Sequence, residues 1–447
     1  MVWPKPPAVK TDLMTNCQIS PALVDALAEA HHRYAQKRPQ SQKLYLAAQE
    51  VMPGGNTRSN LAYAPFPTAM ARGQDCRLWD VDGHEYLDLC GEYTAGLFGH
   101  SEARIHEGLI AAMRNGLSLA AVGAAEGRFA RLMCERFASV ERIRFTNSGT
   151  EANLIALSAA RIFTGRKQII AFRGGYHGSV LYFPVEGESP IAAPFPVTLC
   201  DYNDIPGTLA KIAALGAELA AVIVEPMMGS GGSIPAEPDF LVALQRACQA
   251  NGSLFILDEV MTSRMAAGGM QALYDVQPDL TTFGKYMGGG MSFGAFGGRK
   301  DVMEIFAAKV THAGTFNNNV MTMAAGSIAM GEIFTAKAAE DLYELGEDLL
   351  RGLNRLICSA NAPMRFAGRG SLATPHFRRG EITRPYQPSA KEEALKELFF
   401  FDMLEEGIYL ARRGMHALSL PVTAQQLDRY SAAVARFLVD RAELLAS

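Results

Sequence analysis

Between residues 143 and 298 one pattern recurs: a short, almost wholly apolar run, then a turn or a helical stretch. The runs fall at 143–146, 168–172, 197–200, 220–224, 254–257, 281–283 and 293–296. Strands that are apolar along their whole length are covered on both faces, and helical stretches between them act as crossovers. The segment therefore predicts an α/β domain on a mainly parallel seven-stranded sheet. Ligands of such sheets sit beyond the carboxyl ends of the strands. Ser148, Asp258 and Lys285 each follow a strand directly, which puts all three on that one edge.

Lys285 ends an apolar run and is followed by Gly288-Gly289-Gly290. A lysine at a strand end is partly desolvated, which lowers its pKa and favours the neutral amine that forms a Schiff base. The glycines let the backbone turn sharply beside a ligand. Taken alone, a lysine before a glycine turn is more often a solvated surface group. Two upstream stretches change that weighting. Ser148-Gly149-Thr150-Glu151-Ala152-Asn153 reads as a small-residue turn entering a helix, whose free N–H groups and hydroxyls suit a phosphate. Asp258 closes a buried-strand pattern and can hold a proton on a pyridine nitrogen. Phosphate cradle, buried acid and strand-end lysine are the parts that hold pyridoxal 5′-phosphate.

Six motifs stand in order: SGTEAN at 148–153, GGYHG at 174–178, VEP at 224–226, LDEVMTSR at 257–264, FGKYMGGG at 283–290 and GTFNNN at 314–319. With them the chain resembles the class III aminotransferases of the fold-type I pyridoxal-phosphate enzymes. Within these it is nearest the branch that holds β-amino-acid aminotransferases and glutamate-1-semialdehyde aminomutases. The resemblance implies a large cofactor-binding domain over 76–330 and a small α+β domain made from both chain ends, 1–75 and 331–447. It implies that Lys285 carries the cofactor and that Asp258 faces its ring nitrogen. Ser148, Gly149 and Thr150 take the phosphate. Tyr176 stacks on the ring with His177 beside it, and Val260 packs on the other face. For Tyr176 a half-buried turn tyrosine is the plain alternative, for Val260 a core valine, and for His177 the two readings are even.

Thr315 matches a threonine that reaches the phosphate of the neighbouring subunit, so the resemblance implies a homodimer with a shared active site. The alternative for Thr315 is a helix cap. Arg58, in Pro53-Gly54-Gly55-Asn56-Thr57-Arg58-Ser59, reads either as a solvated loop arginine or as a carboxylate clamp. The resemblance favours the clamp. It also gives Arg413 as the second carboxylate ligand, against a surface arginine pair with Arg412, and sets Tyr93 in the substrate pocket, against core packing. His100 and Glu225 read as structural hydrogen-bonding residues. The part played by Asn60 stays open.

The motifs also depart from the pattern. Met261-Thr262-Ser263-Arg264-Met265 replaces the usual phenylalanine and glycine, and Met227-Met228-Gly229-Ser230 lacks the asparagine of the aminomutases. Both departures favour an aminotransferase taking a β-amino acid, aromatic ones such as β-phenylalanine included, with 2-oxoglutarate or pyruvate as acceptor. An intramolecular aminomutase is the second reading. A non-catalytic protein on the same scaffold is the third, and the intact Lys285 and Asp258 argue against it.

With 42 basic and 46 acidic residues the net charge is −4, so nothing points to nucleic acid or an anionic membrane. No apolar run reaches the roughly 18 residues of a bilayer span, and the first residues lack a signal-peptide core. Seven cysteines stand singly, which reads as reduced thiols of a cytoplasmic protein. No phosphate-loop lysine motif and no metal-type Cys/His spacing occurs. Outside the sheet, residues 1–19 read as loosely ordered and Ser20-Pro21 as the start of a helix that stops before Pro39. A hairpin turns at Asp82-Gly83, and Thr423 to Gln426 form a capping box opening the last helix.

Overall fold

The computed structural model describes residues 19–446; the expected loose N-terminal segment lies, apart from residue 19, outside the described residues. Seven strands form the central sheet: β1 (Arg142–Thr146), β2 (Gln168–Phe172), β3 (Val197–Cys200), β4 (Leu219–Val224), β5 (Leu254–Asp258), β6 (Leu280–Gly284) and β7 (Gly294–Gly298). Their order is β1-β7-β6-β5-β4-β2-β3. Only β7 runs against the rest, antiparallel to both β6 and β1. The six residues of β4 and the five of β5 and β6 are all buried, as their largely apolar, uncharged runs up to Asp258 and Gly284 require.

Register fixes the edge that matters. Asp258 pairs with Thr282, and Gly284 pairs with Gly294, so the carboxyl ends of β5 and β6 lie side by side. Two apolar clusters cover the sheet. One centres on Phe240, Leu244, Phe255 and Leu257, and the other on Ala152, Ala156, Ile223, Ile256 and Phe296. Burying each phenylalanine, leucine or isoleucine here stabilises by about 1.5–3 kcal/mol, which pins the register.

The chain ends meet in a smaller domain. Helix Pro21–Lys37 is capped by Ser20, whose hydroxyl accepts from Leu23 N–H. It buries Leu23, Leu27 and Tyr34 in one cluster with Phe401, Tyr430 and Phe437 from the far end of the sequence. Both capping boxes at that end form, Ser389 with Glu392 and Thr423 with Gln426. The hairpin at Asp82-Gly83 forms as Arg77–Asp80 against Glu85–Asp88, and the latter pairs in parallel with Ile408–Tyr409. No helix of the described residues is long and apolar enough to cross a membrane.

Candidate active site

Helix Gly149–Thr164 starts beside the end of β1 and is capped by Ser148, whose hydroxyl accepts from Glu151 N–H at 3.2 Å. The Gly149 and Thr150 N–H groups lie in the first turn and have no intrahelical acceptor, so they are free for an anion. The loop after β2 closes over this cradle. At Gly178 (φ +123°) a β-carbon would come within 2.7 Å of Thr150 Cβ, so only glycine lets the loop settle there.

Asp258 forms the floor. Its Oδ2 accepts from Asn153 Nδ2 at 2.8 Å and from His177 Nδ1 at 2.7 Å, and its Oδ1 accepts from Val260 N–H at 3.0 Å. Asn153 also donates to the His177 carbonyl (3.0 Å) and accepts from the Thr282 hydroxyl (2.6 Å). Burial would strip His177 of its proton, yet the hydrogen bond and charge of Asp258, with Glu225 adding, raise its pKa. The carboxylate is thus held by three donors, the His177 ring, the Asn153 amide and the Val260 N–H. Val260 stands with its methyls against Gly149, where a β-carbon would come 2.8 Å away.

Lys285 opens a short helical turn with φ +56°. Its Nζ makes no hydrogen bond or ion pair with any described residue. Burial lowers its pKa; Asp258 and Glu225 oppose the shift and the Arg413 and Arg58 charges assist it. The result is an amine poised to lose its proton and form a bond to carbon.

Glu225 fastens the wall between these parts. Its carboxylate accepts from Tyr176 N–H at 2.9 Å and Gly229 N–H at 3.0 Å, the structural role its sequence position suggests. Burial raises its pKa, and the neighbouring Asp258 adds to this against the pull of His177 and the two N–H groups. Tyr176 itself stands exposed, its ring 6.0 Å from that of Tyr182.

The rim carries the two predicted clamps. Arg58 and Arg413 approach one ring, Tyr93, at 5.4 and 5.8 Å from its centroid. Tyr93 donates to the backbone carbonyl of Asn60 at 2.9 Å, so Asn60 contributes main chain here. Arg58 is ion-paired with Glu92. Among the described residues Arg413 has no acid partner: its Nη2 contacts Met415 Sδ at 3.0 Å and its buried Nε has no hydrogen-bond partner. Burial lowers its pKa, opposed by Tyr93, Cys90 and Glu225. A half-buried guanidinium left short of acceptors is a standing site for a carboxylate.

Thr315 is exposed in a turn, and the helix after it is capped by Asn319, which accepts from Met321 and Thr322 N–H. The capping alternative for Thr315 therefore falls. Sequence reasoning did not single out Asn153, Thr282 or Glu92. Asn153 stood inside a quoted motif, but nothing in its spacing to Asp258 announces the contact. His100 is structural, its Nε2 2.9 Å from Asp88 Oδ2, while Asp88 Oδ1 accepts from Cys90 and Gly91 N–H beneath the rim.

A lysine amine, a buried acid and an anion cradle converge on one sheet edge, with two guanidiniums above. The residues fit pyridoxal 5′-phosphate: an unpartnered Nζ, free N–H groups at the helix start and a hydrogen-bonded carboxylate match its aldehyde, phosphate and ring nitrogen. The chain belongs to the class III aminotransferases, whose family model matches residues 59–433, and it is a pyridoxal-phosphate-dependent enzyme of that class. It is 48% identical over 427 residues to the β-phenylalanine transaminase of Variovorax paradoxus, across 95% of this chain and 98% of that one. The solved structure of the V. paradoxus β-phenylalanine aminotransferase superposes with a TM-score of 0.93, covering 95% of this chain and 99% of that chain. An ω-transaminase from Sphaerobacter thermophilus gives 0.85 at 36% identity, covering 90% and 97%. A glutamate-1-semialdehyde aminomutase from Pseudomonas aeruginosa gives 0.86 at 20% identity, covering 96% and 100%, and shares the fold.

Proposed function

We propose that the enzyme transfers the amino group of a β-amino acid, aromatic ones included, to a 2-oxo acid such as 2-oxoglutarate or pyruvate. The observation that carries this reading is the pair of guanidiniums flanking Tyr93, because a β-amino acid and a 2-oxo acid each present a carboxylate at a different distance from the reacting carbon. The relationship to the V. paradoxus transaminase supports it. The aminomutase alternative has only a shared fold behind it.

Lys285, Asp258, Val260, His177, Tyr176 and the Ser148–Thr150 turn hold the cofactor. When bound, the cofactor draws electrons away from the substrate carbon that bears the nitrogen, which makes its C–H acidic. Lys285 Nζ takes that proton and returns it at the neighbouring position; its lowered pKa favours the neutral amine that acts as the base. Asp258, anchored by Asn153 and His177, keeps a negative charge under the ring nitrogen. Arg58 and Arg413 fix carboxylates and so set which face of the substrate meets Nζ. Thr315, exposed on one chain, reaches the site of a second copy, and the working unit is a cytoplasmic homodimer.

The test is the visible spectrum of the pyridoxal-phosphate-loaded enzyme before and after an aromatic β-amino acid is added without any 2-oxo acid. Conversion of the lysine-bound cofactor to its amino form is expected. A spectrum unmoved by the β-amino acid but shifted by a semialdehyde or diamine would overturn the reading in favour of the mutase.

A further inference from the structure

Glu92 sits in a stretch of unusual backbone. Gly91, Glu92, Tyr93 and Thr94 have φ values of 50°, 47°, 53° and 80°, all left-handed, and three of the four carry side chains that disfavour it. The surroundings hold the turn in place. Asp88 Oδ1 accepts from Cys90 and Gly91 N–H, Tyr93 N–H donates to the Cys90 carbonyl at 3.0 Å, and Gly96 N–H donates to the Gly91 carbonyl at 2.8 Å. Thr94 is fully buried, and the buried Arg264 donates to its carbonyl at 3.5 Å. This over-determined turn places the Glu92 carboxylate on Arg58 and the Tyr93 ring between Arg58 and Arg413.

The two guanidiniums are therefore unequal. Among the described residues Arg413 lacks any acid, whereas Arg58 has one supplied by the same turn that forms the pocket wall. Both partners of the Arg58–Glu92 pair remain partly open, with side chains 41% and 56% exposed, so neither is locked. An open pair of this kind is weak and exchanges readily.

We propose that Glu92 is an internal counter-ion that makes the Arg58 end of the pocket convertible, cationic when a substrate carboxylate displaces it and neutral when an uncharged group sits there. The inference rests on the reading of Arg58 and Arg413 as carboxylate clamps and adds a residue that sets specificity. A two-substrate exchange needs such an end. With the acceptor's α-carboxylate on Arg413, 2-oxoglutarate points a second carboxylate towards Arg58 and pyruvate points a methyl group. Glu92 keeps the methyl from facing a bare cation and yields to the carboxylate at modest cost.

The experiment is the ratio of kcat/KM for 2-oxoglutarate to that for pyruvate, measured on the holoenzyme with one amino donor. A ratio within one protein is insensitive to partial unfolding or incomplete cofactor loading. Glu92→Gln is expected to raise it about two- to fivefold, the span an exposed ion pair controls. Arg58→Met is expected to lower it, and Glu92→Gln in that background is expected to change nothing further, which closes a double-mutant cycle. If Arg58→Met lowers the ratio while Glu92→Gln leaves it unchanged, the counter-ion role is overturned and the clamp reading stands. If Arg58→Met leaves it unchanged, the clamp reading fails and the inference fails with it.

Discussion

Asp258 is 4% exposed, and both its oxygens are engaged, by Asn153, His177 and Val260. Arg58, above it at the rim, is ten times more exposed and has a single acid partner on a left-handed turn. The floor is satisfied and buried, so its charge is fixed in place before any substrate arrives. The rim is open and weakly paired, so its charge depends on what sits there. The chemistry that stays the same for every substrate is assigned to the first kind of site, and the choice among substrates to the second.

Breaking the floor is expected to have the largest effect. Asp258→Asn removes the negative charge but keeps the side-chain shape, and His177 and Asn153 then point donors at a neutral amide. A loss of about 10²–10³-fold in kcat is expected, the range for removing one preorganised electrostatic group. KM for the 2-oxo acid should change far less, because the clamps are untouched. If KM rises in step with the fall in kcat, the division between floor and rim is wrong. At the rim, Arg413→Met should show the reverse: KM for the 2-oxo acid up about ten- to hundredfold, from lost charged hydrogen bonds, with kcat moved less. Steady-state kinetics with varied acceptor separates the two patterns.

The same contrast explains what the sequence disclosed. The floor lies at the ends of β5 and β6 and the start of the helix after β1, where largely apolar runs announce strands and the residues that close them announce chemistry. Six of the seven strands fall within a residue or so of the apolar runs. The seventh, β7, is Gly294–Gly298 and starts after the apolar Phe293 that suggested it. Its glycines are there because the backbones of neighbouring segments crowd it: a β-carbon on Gly298 would collide with the Asp279 carbonyl. Strand Met70–Gln74, polar and half exposed, gives no apolar signal at all. The rim was legible only through its motifs. Arg413 lies hundreds of residues beyond Arg58 and Tyr93 in sequence, and the Glu92 contact depends on a left-handed turn that no local pattern predicts, since Glu, Tyr and Thr all disfavour it. Asn153 and Thr282 are ordinary residues of a helix and a strand until register brings them to Asp258.

Two buried histidines carry the contrast into pH, with opposite signs. His177 in the floor has its pKa raised by Asp258, so folding favours its protonated form. Its contribution to stability is fully present below about 6.5, the unfolded value, and is lost as pH rises through the folded one. His416 lies beneath the rim, where Ala417 N–H donates to the Leu89 carbonyl at 2.7 Å. Burial pushes its pKa down to about 3. Between 6.5 and 3 the unfolded chain therefore binds a proton that folded His416 refuses, and stability falls as pH falls through that window. His416→Leu removes this term. Unfolding of the holoenzyme in urea should show wild type losing about 1 kcal/mol more than the variant between pH 6.5 and 5.5. His177→Gln should leave that acid-side slope in place and alter the slope above pH 6.5 instead. Equal acid-side slopes in wild type and His416→Leu would mean that the ground beneath the rim is wet enough to accept a charge, and the sharp division between a sealed floor and a yielding rim would have to move inward to Asp258 itself.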